Sequence, residues 1–236
     1  MKSSLQGKLA FVTGSTRGIG QQIALGLCKL GANVIIHGRT IENASGTLDL
    51  LKEFPVEKYV VEGDLVSASE ISKITDRIIG QFGGIDILYN NAAIMSSYEK
   101  NIWNHSPAAW IDTFQINVQA MYFFCAAFIP GMIERGYGRV INLTSGIKDQ
   151  PELLPYSVSK AAVDKLTKDI AAKLDGTGVR INYLDPGWLK TDMGGPDAWY
   201  PVDHVLPGAL IPALIENEGP NGEFFSAIEL RNSKLW

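Results

Sequence analysis

Near its start the chain reads Lys8-Leu-Ala-Phe-Val-Thr13-Gly14-Ser-Thr-Arg17-Gly18-Ile19-Gly20 and continues Gln21-Gln-Ile-Ala-Leu-Gly-Leu27. The apolar run predicts a short buried strand, the glycines predict a turn, and the residues from Gln21 onward predict a helix. Such a turn lets the backbone approach a pyrophosphate, which then faces the amides and the positive dipole end of the helix. The glycine spacing is Gly-x-x-x-Gly-x-Gly rather than the commoner Gly-x-Gly-x-x-Gly. The segment therefore predicts a strand, turn and helix that bind a dinucleotide.

Strand and helix patterns alternate along the rest of the chain. Strands are predicted near residues 8–13, 33–38, 57–62, 85–90, 138–144, 179–185 and 223–228. Near-continuous apolar runs such as Val34-Ile-Ile36 suit strands that are covered on both faces. The pattern predicts an α/β fold with one domain over residues 1–236, a doubly wound Rossmann fold with a seven-stranded parallel sheet flanked by helices. Right-handed crossovers would bring the carboxyl ends of the strands to one edge, where ligands bind in such folds.

Composition agrees with one globular enzyme domain. The chain has 236 residues, of which 46% are hydrophobic, and a formal net charge of −4. This charge argues against a general nucleic-acid surface, so any basic site is expected to be local. The first residues lack an apolar signal core, and no apolar run approaches the length of a membrane span. We therefore expect a cytoplasmic protein that binds neither nucleic acid nor membrane.

Metal, disulfide and hydrolase chemistry have little support in the sequence. His37, His105 and His204 are scattered, and neither a His-Glu-x-x-His nor a Cys-x-x-Cys motif occurs. Cys28 and Cys125 lie singly in predicted helices and are expected to be buried small side chains. The serines lack a Gly-x-Ser-x-Gly elbow. We expect no metal site and no serine hydrolase.

A tyrosine and a lysine stand four positions apart in Tyr156-Ser-Val-Ser-Lys160. On a helix this spacing puts both side chains on one face. A charge about 4 Å away, at an effective dielectric of about 20, contributes roughly 4 kcal/mol, or about three pKa units. Lys160 is therefore expected to lower the pKa of Tyr156 and make it a proton donor or acceptor. The alternative is an ordinary solvated helix face.

Taken together, these motifs resemble the short-chain dehydrogenase/reductase family over nearly the whole chain. The resemblance rests on Thr-Gly-x-x-x-Gly-Ile-Gly near the start and Tyr-x-x-x-Lys near residue 160. Further matches follow in the family's order: Asp64-Leu65, Asn90-Asn91-Ala92-Ala93, Asn117, Ser145, and Pro186-Gly187 with Thr191. The ordered set is very unlikely to arise by chance.

The resemblance implies a catalytic tetrad. Tyr156 would exchange a proton with the substrate oxygen, Ser145 would hydrogen-bond that oxygen, and Lys160 would hold the nicotinamide ribose. Asn117 would hold a water that links the lysine to solvent. Thr144 beside Ser145 could take its place. Ser145 precedes Tyr156 by 11 positions, about two fewer than is usual in the family, so the loop between them, which helps to form the substrate pocket, is short.

The resemblance also implies a cofactor site built from all the motif segments. Its residues are Gly14, Ser15, Thr16, Arg17, Gly18, Ile19, Gly20, Gly38, Arg39, Asp64, Leu65, Asn91, Ala92, Tyr156, Lys160, Pro186, Gly187, Leu189 and Thr191. Asp64 would hydrogen-bond the adenine, although it could instead cap the helix that begins near Ser67. Thr191 and the backbone around it would hold the nicotinamide carboxamide.

The end of the second predicted strand favours NADP(H) over NAD(H). A carboxylate there would bind the ribose 2′-hydroxyl and repel a 2′-phosphate, but the position is Gly38. Arg39 follows, and Arg17 lies in the glycine turn, so two guanidinium groups could grip a phosphate. In the alternative, Arg39 is a solvated residue, Arg17 pairs with an acid such as Glu42, and NAD(H) is the cofactor.

The C-terminal part resembles the carbonyl reductase branch of the family, through Pro-Gly-Trp-Leu-Lys-Thr-Asp-Met-Gly-Gly-Pro after the sixth strand. A helix is expected near Val202, which would leave a short lid over the substrate. Six side chains are candidate pocket walls for an apolar or aromatic carbonyl, and core packing is their equal alternative. They are Ile94, Leu153, Leu154, Trp188, Trp199 and Tyr200.

These observations favour a metal-free, NADP(H)-dependent oxidoreductase that interconverts a small-molecule carbonyl and an alcohol. One alternative is an NAD-linked secondary alcohol, sugar or steroid dehydrogenase or a 3-oxoacyl reductase on the same fold. Another is a non-catalytic NADP(H)-sensing interaction protein, which would need the glycine turn but not the proton donor. The apolar helices near residues 110–128 and 156–174 are expected to form the homodimer or homotetramer surfaces usual in the family.

Overall fold

Seven strands form a single parallel sheet in the computed structural model, which describes residues 4–147 and 150–235. The strands are β1 (Leu9–Val12), β2 (Asn33–Gly38), β3 (Lys58–Glu62), β4 (Ile87–Asn90), β5 (Gly138–Leu143), β6 (Val179–Asp185) and β7 (Phe224–Ser226). Their order across the sheet is β3-β2-β1-β4-β5-β6-β7. Each strand lies within a predicted range, so the prediction of a doubly wound, seven-stranded sheet is confirmed.

In the described part of the chain, six α-helices connect the strands: α1 (Gly18–Lys29), α2 (Ser45–Leu51), α3 (Ala68–Phe82), α4 (Pro107–Phe114), α5 (Ala120–Glu134) and α6 (Leu154–Ala171). Local sequence explains several helix ends. The Ser67 hydroxyl accepts a hydrogen bond from the Glu70 amide at the start of α3, and Gly83 ends that helix in the left-handed conformation. Ser106 caps α4 in the same way, with Pro107 in the first turn.

Two apolar clusters cover the two faces of the sheet. Alternate residues of β1 point to opposite faces, so Val12 packs with Ile23 and Leu27 of α1. On the other face Phe11 meets Phe124 of α5 edge-on, with ring centroids 5.4 Å apart. Each fully buried side chain of this size contributes about 1.5–3 kcal/mol to folding. These clusters hold the strand ends, and therefore the predicted site residues, in fixed relative positions.

The region after β4 contains a helix with an irregular turn. Helix α4 leads into α5 through a π-helical turn, Gln115–Gln119. Among the described residues, only the stretch Pro107–Glu134 is long and apolar enough to cross a membrane, with a mean hydropathy of 1.5. Helices in protein cores meet the same criteria, and Phe124 and Phe128 of this stretch are buried against Phe11. The sequence expectation concerned continuous apolar runs, and polar residues such as Asp112 and Gln119 interrupt this stretch.

The prediction of a regular helix near Val202 is wrong. Two 3-10 helices, Val202–Val205 and Gly208–Ala213, occupy this region. Prolines at positions 201, 207 and 212 explain the difference, because each lacks the backbone N–H that a continuous α-helix needs.

Candidate active site

The glycine turn lies between the end of β1 and the start of α1. Gly14 has a positive φ of 61°, a conformation in which glycine avoids the steric penalty of a side chain. A Cβ atom on Gly20 would lie 2.4 Å from the Gly14 carbonyl oxygen, so only glycine lets the first turn of α1 approach the preceding loop this closely. The predicted strand, turn and helix are therefore present.

Helix α1 begins in a way that suits an anionic ligand. Arg17 occupies the N-cap position with an extended backbone, no side chain caps the helix, and its first turn contains no acid. The first amides of a helix have no intrahelical acceptor and carry the positive end of its dipole. The side chain of Ile19 packs against the core cluster on this face of the sheet, so its contribution to such a site would come from the backbone.

Polar contacts from β4 hold the glycine turn in place. The Thr13 hydroxyl accepts hydrogen bonds from the amides of Asn91 and Ala92, each at 3.0 Å. The Asn91 side-chain amide donates to the carbonyls of Thr13, at 2.8 Å, and of Gly14, at 3.1 Å. The hydroxyl of buried Ser15 donates to the Val12 carbonyl at 2.7 Å. The side chains of Ser15 and Asn91, both predicted cofactor ligands, thus stabilise the turn through hydrogen bonds to its backbone carbonyls and to the end of β1.

The adenosine end of the predicted groove contains the two arginines. Arg17 Nε lies 3.0 Å from Asp192 Oδ2, and both side chains are largely exposed. The expected alternative partner, Glu42, is not the acid that pairs with Arg17. Arg39 is exposed, and no acid among residues 4–147 and 150–235 lies within ion-pair distance of its guanidinium.

Gly38 is closely surrounded. A Cβ atom there would lie 2.5 Å from Cγ2 of Thr16, so any side chain at this position would require Thr16 to move. The packing thus explains why no carboxylate stands at the end of β2. Position 38 thus carries no side chain that could accept a hydrogen bond from a ribose 2′-hydroxyl, and the exposed Arg39 follows it directly.

Asp64 and Leu65 follow β3 at the same edge of the sheet. Asp64 is exposed, and its Oδ1 accepts a hydrogen bond from the Val66 amide at 3.1 Å. Because Ser67 caps α3, the alternative that Asp64 is the cap is wrong. Leu65 is buried and lines a small cavity together with Thr13 and Ala92. The turns after β1, β3 and β4 therefore meet in space.

Thr144 and Ser145, at the end of β5, have different surroundings. The Thr144 hydroxyl is buried and donates to Asp164 of α6. The Ser145 hydroxyl instead accepts a hydrogen bond from the Ile147 amide at 3.3 Å, and its side chain opposes the rise in the pKa of Tyr156. Because Thr144 is engaged by Asp164, Ser145 is the better candidate partner of the tyrosine.

Tyr156 and Lys160 both lie on α6 and are both buried. Burial raises the pKa of Tyr156 to about 12; the hydrogen bond from Ser145 opposes this shift, and the charge of Asp185 adds to it. The net lowering of this pKa that the sequence suggested is therefore not present in the free protein. The lysine Nζ lies 5.6 Å from the centroid of the tyrosine ring and donates to the Leu143 carbonyl at 2.8 Å. The cost of burying a phenolate therefore exceeds the effect of the ammonium.

Burial also acts on Lys160 itself. It lowers the pKa of the ammonium to about 8, against the opposing charges of Asp164 and Asp185. The lysine is then mostly charged at neutral pH and loses its proton over a range where exposed lysines keep theirs.

Asn117 lies in the π-helical turn between α4 and α5. Its Oδ1 accepts from the Ile94 amide, and its Nδ2 donates to the Ile94 carbonyl, both at 2.9 Å. Nδ2 also donates to the Ser159 hydroxyl on α6 at 3.0 Å. The side chain joins the loop after β4 to the helix that carries Tyr156. π-Helical turns of this kind are frequent at functional sites.

The segment after β6 approaches the glycine turn from the other side. The Gly187 amide, which follows Pro186, donates to Asp185 Oδ1 at 3.0 Å. The Thr191 hydroxyl accepts from the Gly194 amide at 3.0 Å, and the Thr191 methyl group lies beside Gly18. Leu189 is buried in the core. The segment containing Pro186 and Thr191 thus closes the groove that begins at the glycine turn.

The six candidate pocket walls have different environments. Trp188 and Trp199 meet edge-on with centroids 5.5 Å apart, and Trp199 is 73% exposed. Tyr200 instead stacks on His204 and packs against the core, which supports the alternative of core packing for this residue. Leu153 is buried, and Leu154 and Ile94 are partly buried.

Sequence reasoning missed two residues at this edge. Asp185 contributes charge to both Tyr156 and Lys160, and its place directly before Pro186-Gly187 was the available signal. His37 hydrogen-bonds the Gly14 amide; the sequence offered no signal for this contact, because the two residues come together only in the folded sheet.

Comparisons with known proteins agree with the geometry. A family model described as short chain dehydrogenase matches residues 8–198. The chain is 37% identical, over 79% of its length, to 2-keto-3-deoxy-L-fuconate dehydrogenase of Xanthomonas campestris pv. campestris, and the match covers 60% of that relative. It is 34% identical to a 3-oxoacyl-(acyl-carrier-protein) reductase of Aquifex aeolicus, over 82% of this chain and 78% of the relative. A solved metagenomic short-chain oxidoreductase in complex with NADP is 26% identical with a TM-score of 0.83, over 95% of this chain and 99% of that chain.

Proposed function

Because this chain belongs to the short-chain dehydrogenase/reductase family of oxidoreductases, we propose that it interconverts a carbonyl and an alcohol with NADP(H), using Tyr156 to exchange the proton. The observation that carries the proposal is the buried pair of Tyr156 and Lys160, one turn apart on α6, with a Ser145 side chain that acts on the pKa of the tyrosine. A protein that only senses the cofactor would need the glycine turn but no proton donor beside a second hydroxyl.

In the proposed reduction, two hydroxyl groups act on the carbonyl oxygen. When bound at the proposed cofactor site, NADPH would supply the hydride for the carbonyl carbon. Ser145 donates a hydrogen bond to the oxygen, and Tyr156 gives it a proton as negative charge develops. A pKa of Tyr156 near 12 keeps the phenol protonated at neutral pH, which suits this direction. The reverse direction needs the phenolate and is favoured by higher pH.

Lys160 and Asn117 are proposed to support the proton transfer by Tyr156 without acting on the substrate themselves. Once the proton has left Tyr156, the nearby ammonium of Lys160 stabilises the phenolate. Asn117 fixes the loop at Ile94 against α6 through its side-chain amide. Because both Oδ1 and Nδ2 of Asn117 already form hydrogen bonds, we propose that any water bound at Asn117 contacts its backbone and not its side chain.

The preference for NADP(H) rests on the adenosine end of the groove. A side chain at Gly38 would meet Thr16, Arg39 follows Gly38 directly, and we propose that Arg17 of the glycine turn also reaches the 2′-phosphate. Paired guanidinium groups form strong, charge-assisted hydrogen bonds with phosphate. The complex of the metagenomic relative with NADP agrees with this preference.

The substrate is proposed to be a small carbonyl compound with an apolar or aromatic group. The aromatic pair Trp188 and Trp199 stands at the open side of the site and supports this choice. The names of the two relatives favour a second candidate, a 2-keto sugar acid or a 3-oxoacyl thioester.

Fluorescence titration with NADPH and NADH, followed by turnover assays, tests the proposal. The panel contains aromatic aldehydes, diketones, cyclic ketones, a 2-keto-3-deoxy sugar acid and a 3-oxoacyl thioester. We expect tighter binding of NADPH and reduction of at least one apolar carbonyl. Tight binding without turnover on any of these substrates would contradict the proposed catalysis.

A pair of variants tests the phosphate site directly. Arg39→Ala should weaken NADPH binding about tenfold while changing NADH binding little, because only NADPH carries the 2′-phosphate. Arg77→Ala, at an exposed position on α3, is the matched control and should change neither. An equal loss for the two cofactors in Arg39→Ala would mean that Arg39 does not contact the phosphate.

A further inference from the structure

A buried histidine connects two of the turns that line the proposed cofactor groove. His37 is the penultimate residue of β2 and is only 3% exposed. Its Nδ1 lies 3.0 Å from the Gly14 amide nitrogen, and its Nε2 lies 3.1 Å from the Gly63 carbonyl oxygen. The ring therefore spans the distance from the glycine turn after β1 to the turn after β3.

The two contacts determine the protonation state of the ring. A backbone amide can only donate, so Nδ1 must carry a lone pair towards Gly14. A carbonyl can only accept, so Nε2 must carry the hydrogen towards Gly63. Both bonds form together only in the neutral Nε2–H tautomer. Burial agrees, since it lowers the pKa of His37 to about 4, although the Gly63 carbonyl and the charge of Asp64 oppose that shift.

The backbone of His37 is bound to the same turn. The Ser15 hydroxyl accepts from the His37 amide at 3.0 Å, and the Ser15 amide donates to the His37 carbonyl at 3.0 Å. On its apolar side the ring meets Phe11 edge-on at 6.2 Å. The imidazole is thus held on several sides and has little freedom to rotate.

The turns joined by the ring are those proposed to hold the two parts of the adenosine diphosphate group. Gly14 begins the turn that faces the pyrophosphate, and Gly63 immediately precedes Asp64, the proposed adenine contact. We propose that His37 is a positioning residue for cofactor binding, whose neutral imidazole fixes the spacing of these two turns. This inference rests on the proposed use of NADP(H) and concerns a residue that does not itself touch the cofactor.

Side chains that differ in hydrogen-bonding capacity distinguish positioning from simple packing. Phenylalanine fills similar space but offers neither an acceptor nor a donor. Glutamine and asparagine each have one hydrogen-bond acceptor group and one donor group, as the neutral imidazole does. We expect His37→Phe to raise the Kd and KM for NADPH about tenfold, the effect of losing two hydrogen bonds, with kcat within about twofold of wild type. The better of His37→Gln and His37→Asn should recover most of this loss.

Phe11→Leu is the matched control. It disturbs the packing around the imidazole but removes no hydrogen bond to either turn, so the Kd for NADPH should remain close to wild type. Nitrogen-15 NMR gives a readout that does not require any His37 variant to fold. It should show one histidine as the Nε2–H tautomer with no titration between pH 6 and 8, assigned to His37 because it remains in His105→Gln combined with His204→Gln.

Several outcomes would overturn the inference. They are an Nδ1–H tautomer, a Kd in His37→Phe equal to wild type, a fall in kcat as large as the rise in KM, or amide variants no better than His37→Phe. If wild type binds neither NADPH nor NADH, the proposed function itself has failed. If wild type binds NADPH and His37→Phe binds it equally well, only the role of His37 has failed.

Discussion

Arg17 Nε lies 3.0 Å from Asp192 Oδ2 and so joins the glycine turn to the segment after β6. Both side chains are exposed, so this ion pair contributes little to stability. The ion pair is instead expected to affect cofactor binding, because Asp192 binds the guanidinium that the proposed 2′-phosphate would also contact. The carboxylate would therefore compete with the proposed 2′-phosphate for Arg17.

We predict that Asp192→Asn strengthens NADPH binding by about two- to fivefold and changes NADH binding less, since a competing negative charge is removed. Fluorescence titration at low and high salt measures the effect, which should shrink as salt screens the charges. Asp197→Asn, also exposed and a few residues further along, is the control. Weaker NADPH binding in Asp192→Asn would mean that the pair orients Arg17 for the phosphate instead of competing with it.

Tyr156→Phe should lower kcat by about 100-fold or more, because the variant has no proton to give to the carbonyl oxygen. The Kd for NADPH should remain close to wild type, since the ring is retained in its buried position. Steady-state kinetics and a cofactor titration measure the two effects. Tyr59→Phe is the control, and an unchanged kcat in Tyr156→Phe would sink the proton-donor assignment.

Lys160→Met should stabilise the protein at neutral pH while it abolishes most activity. The pKa of this lysine falls from 10.5 to about 8 on folding, so keeping the charge in the folded state costs about 3 kcal/mol at most. The cost is fully present below pH 8. It decreases as the pH rises from 8 to 10.5, where the unfolded chain binds more protons than the folded one.

Urea unfolding of wild type and Lys160→Met across this pH range measures the difference in the free energy of unfolding. The variant should be more stable by roughly 1–3 kcal/mol at pH 7, and the difference should shrink towards pH 10. A variant that is less stable at every pH would show that the hydrogen bond to Leu143 outweighs the cost of burying the charge.

Gly38→Asp alone should weaken the binding of both cofactors, because a Cβ there would lie 2.5 Å from Cγ2 of Thr16. Serine at position 16 lacks that methyl group. We therefore expect Thr16→Ser combined with Gly38→Asp to prefer NADH, since the new carboxylate repels a 2′-phosphate and accepts from a 2′-hydroxyl. Thr16→Ser alone should keep the preference for NADPH. A double variant that still prefers NADPH would mean that position 38 does not face the ribose.

The protein is predicted to form a homodimer or homotetramer through the apolar helices. Ile111 on α4 is 57% exposed and Tyr122 on α5 is 49% exposed, so both are available for contact with a partner subunit. Sedimentation velocity should show an oligomer for wild type and a smaller species for Ile111→Glu combined with Tyr122→Glu. Tyr98→Glu, an exposed aromatic elsewhere, should leave the oligomer intact, and a monomeric wild type would contradict the prediction.

Most of the fold could be predicted from local patterns. The strands needed only their apolar runs, and the glycine turn needed only its spacing, because these features depend on neighbours in the chain. The spacing of Tyr156 and Lys160 on one helix followed in the same way. Patterns failed near Val202, where closely spaced prolines replaced the expected helix with 3-10 helices.

Pairings between distant residues could not be predicted. Arg17 was expected to bind a phosphate or to pair with an acid such as Glu42, and the acid that it meets in the structure is Asp192. The adjacent hydroxyls of Thr144 and Ser145 look equivalent in the sequence, and only the position of α6 assigns the first to Asp164 and the second to Tyr156. These choices depend on which helix packs over which strand end.

The amino-acid sequence alone determined the order of the motifs along the chain, the glycine turn and the identity of the reactive side chains. Each of these depends on the spacing of residues that are close in the chain. The tertiary structure decided the pKa values and the hydrogen-bond partners of these side chains. It raised the pKa of Tyr156 where a neighbouring lysine suggested the opposite, and it placed neutral His37 between two turns. The reason is that desolvation and hydrogen bonding depend on burial by the whole fold, which no local spacing encodes.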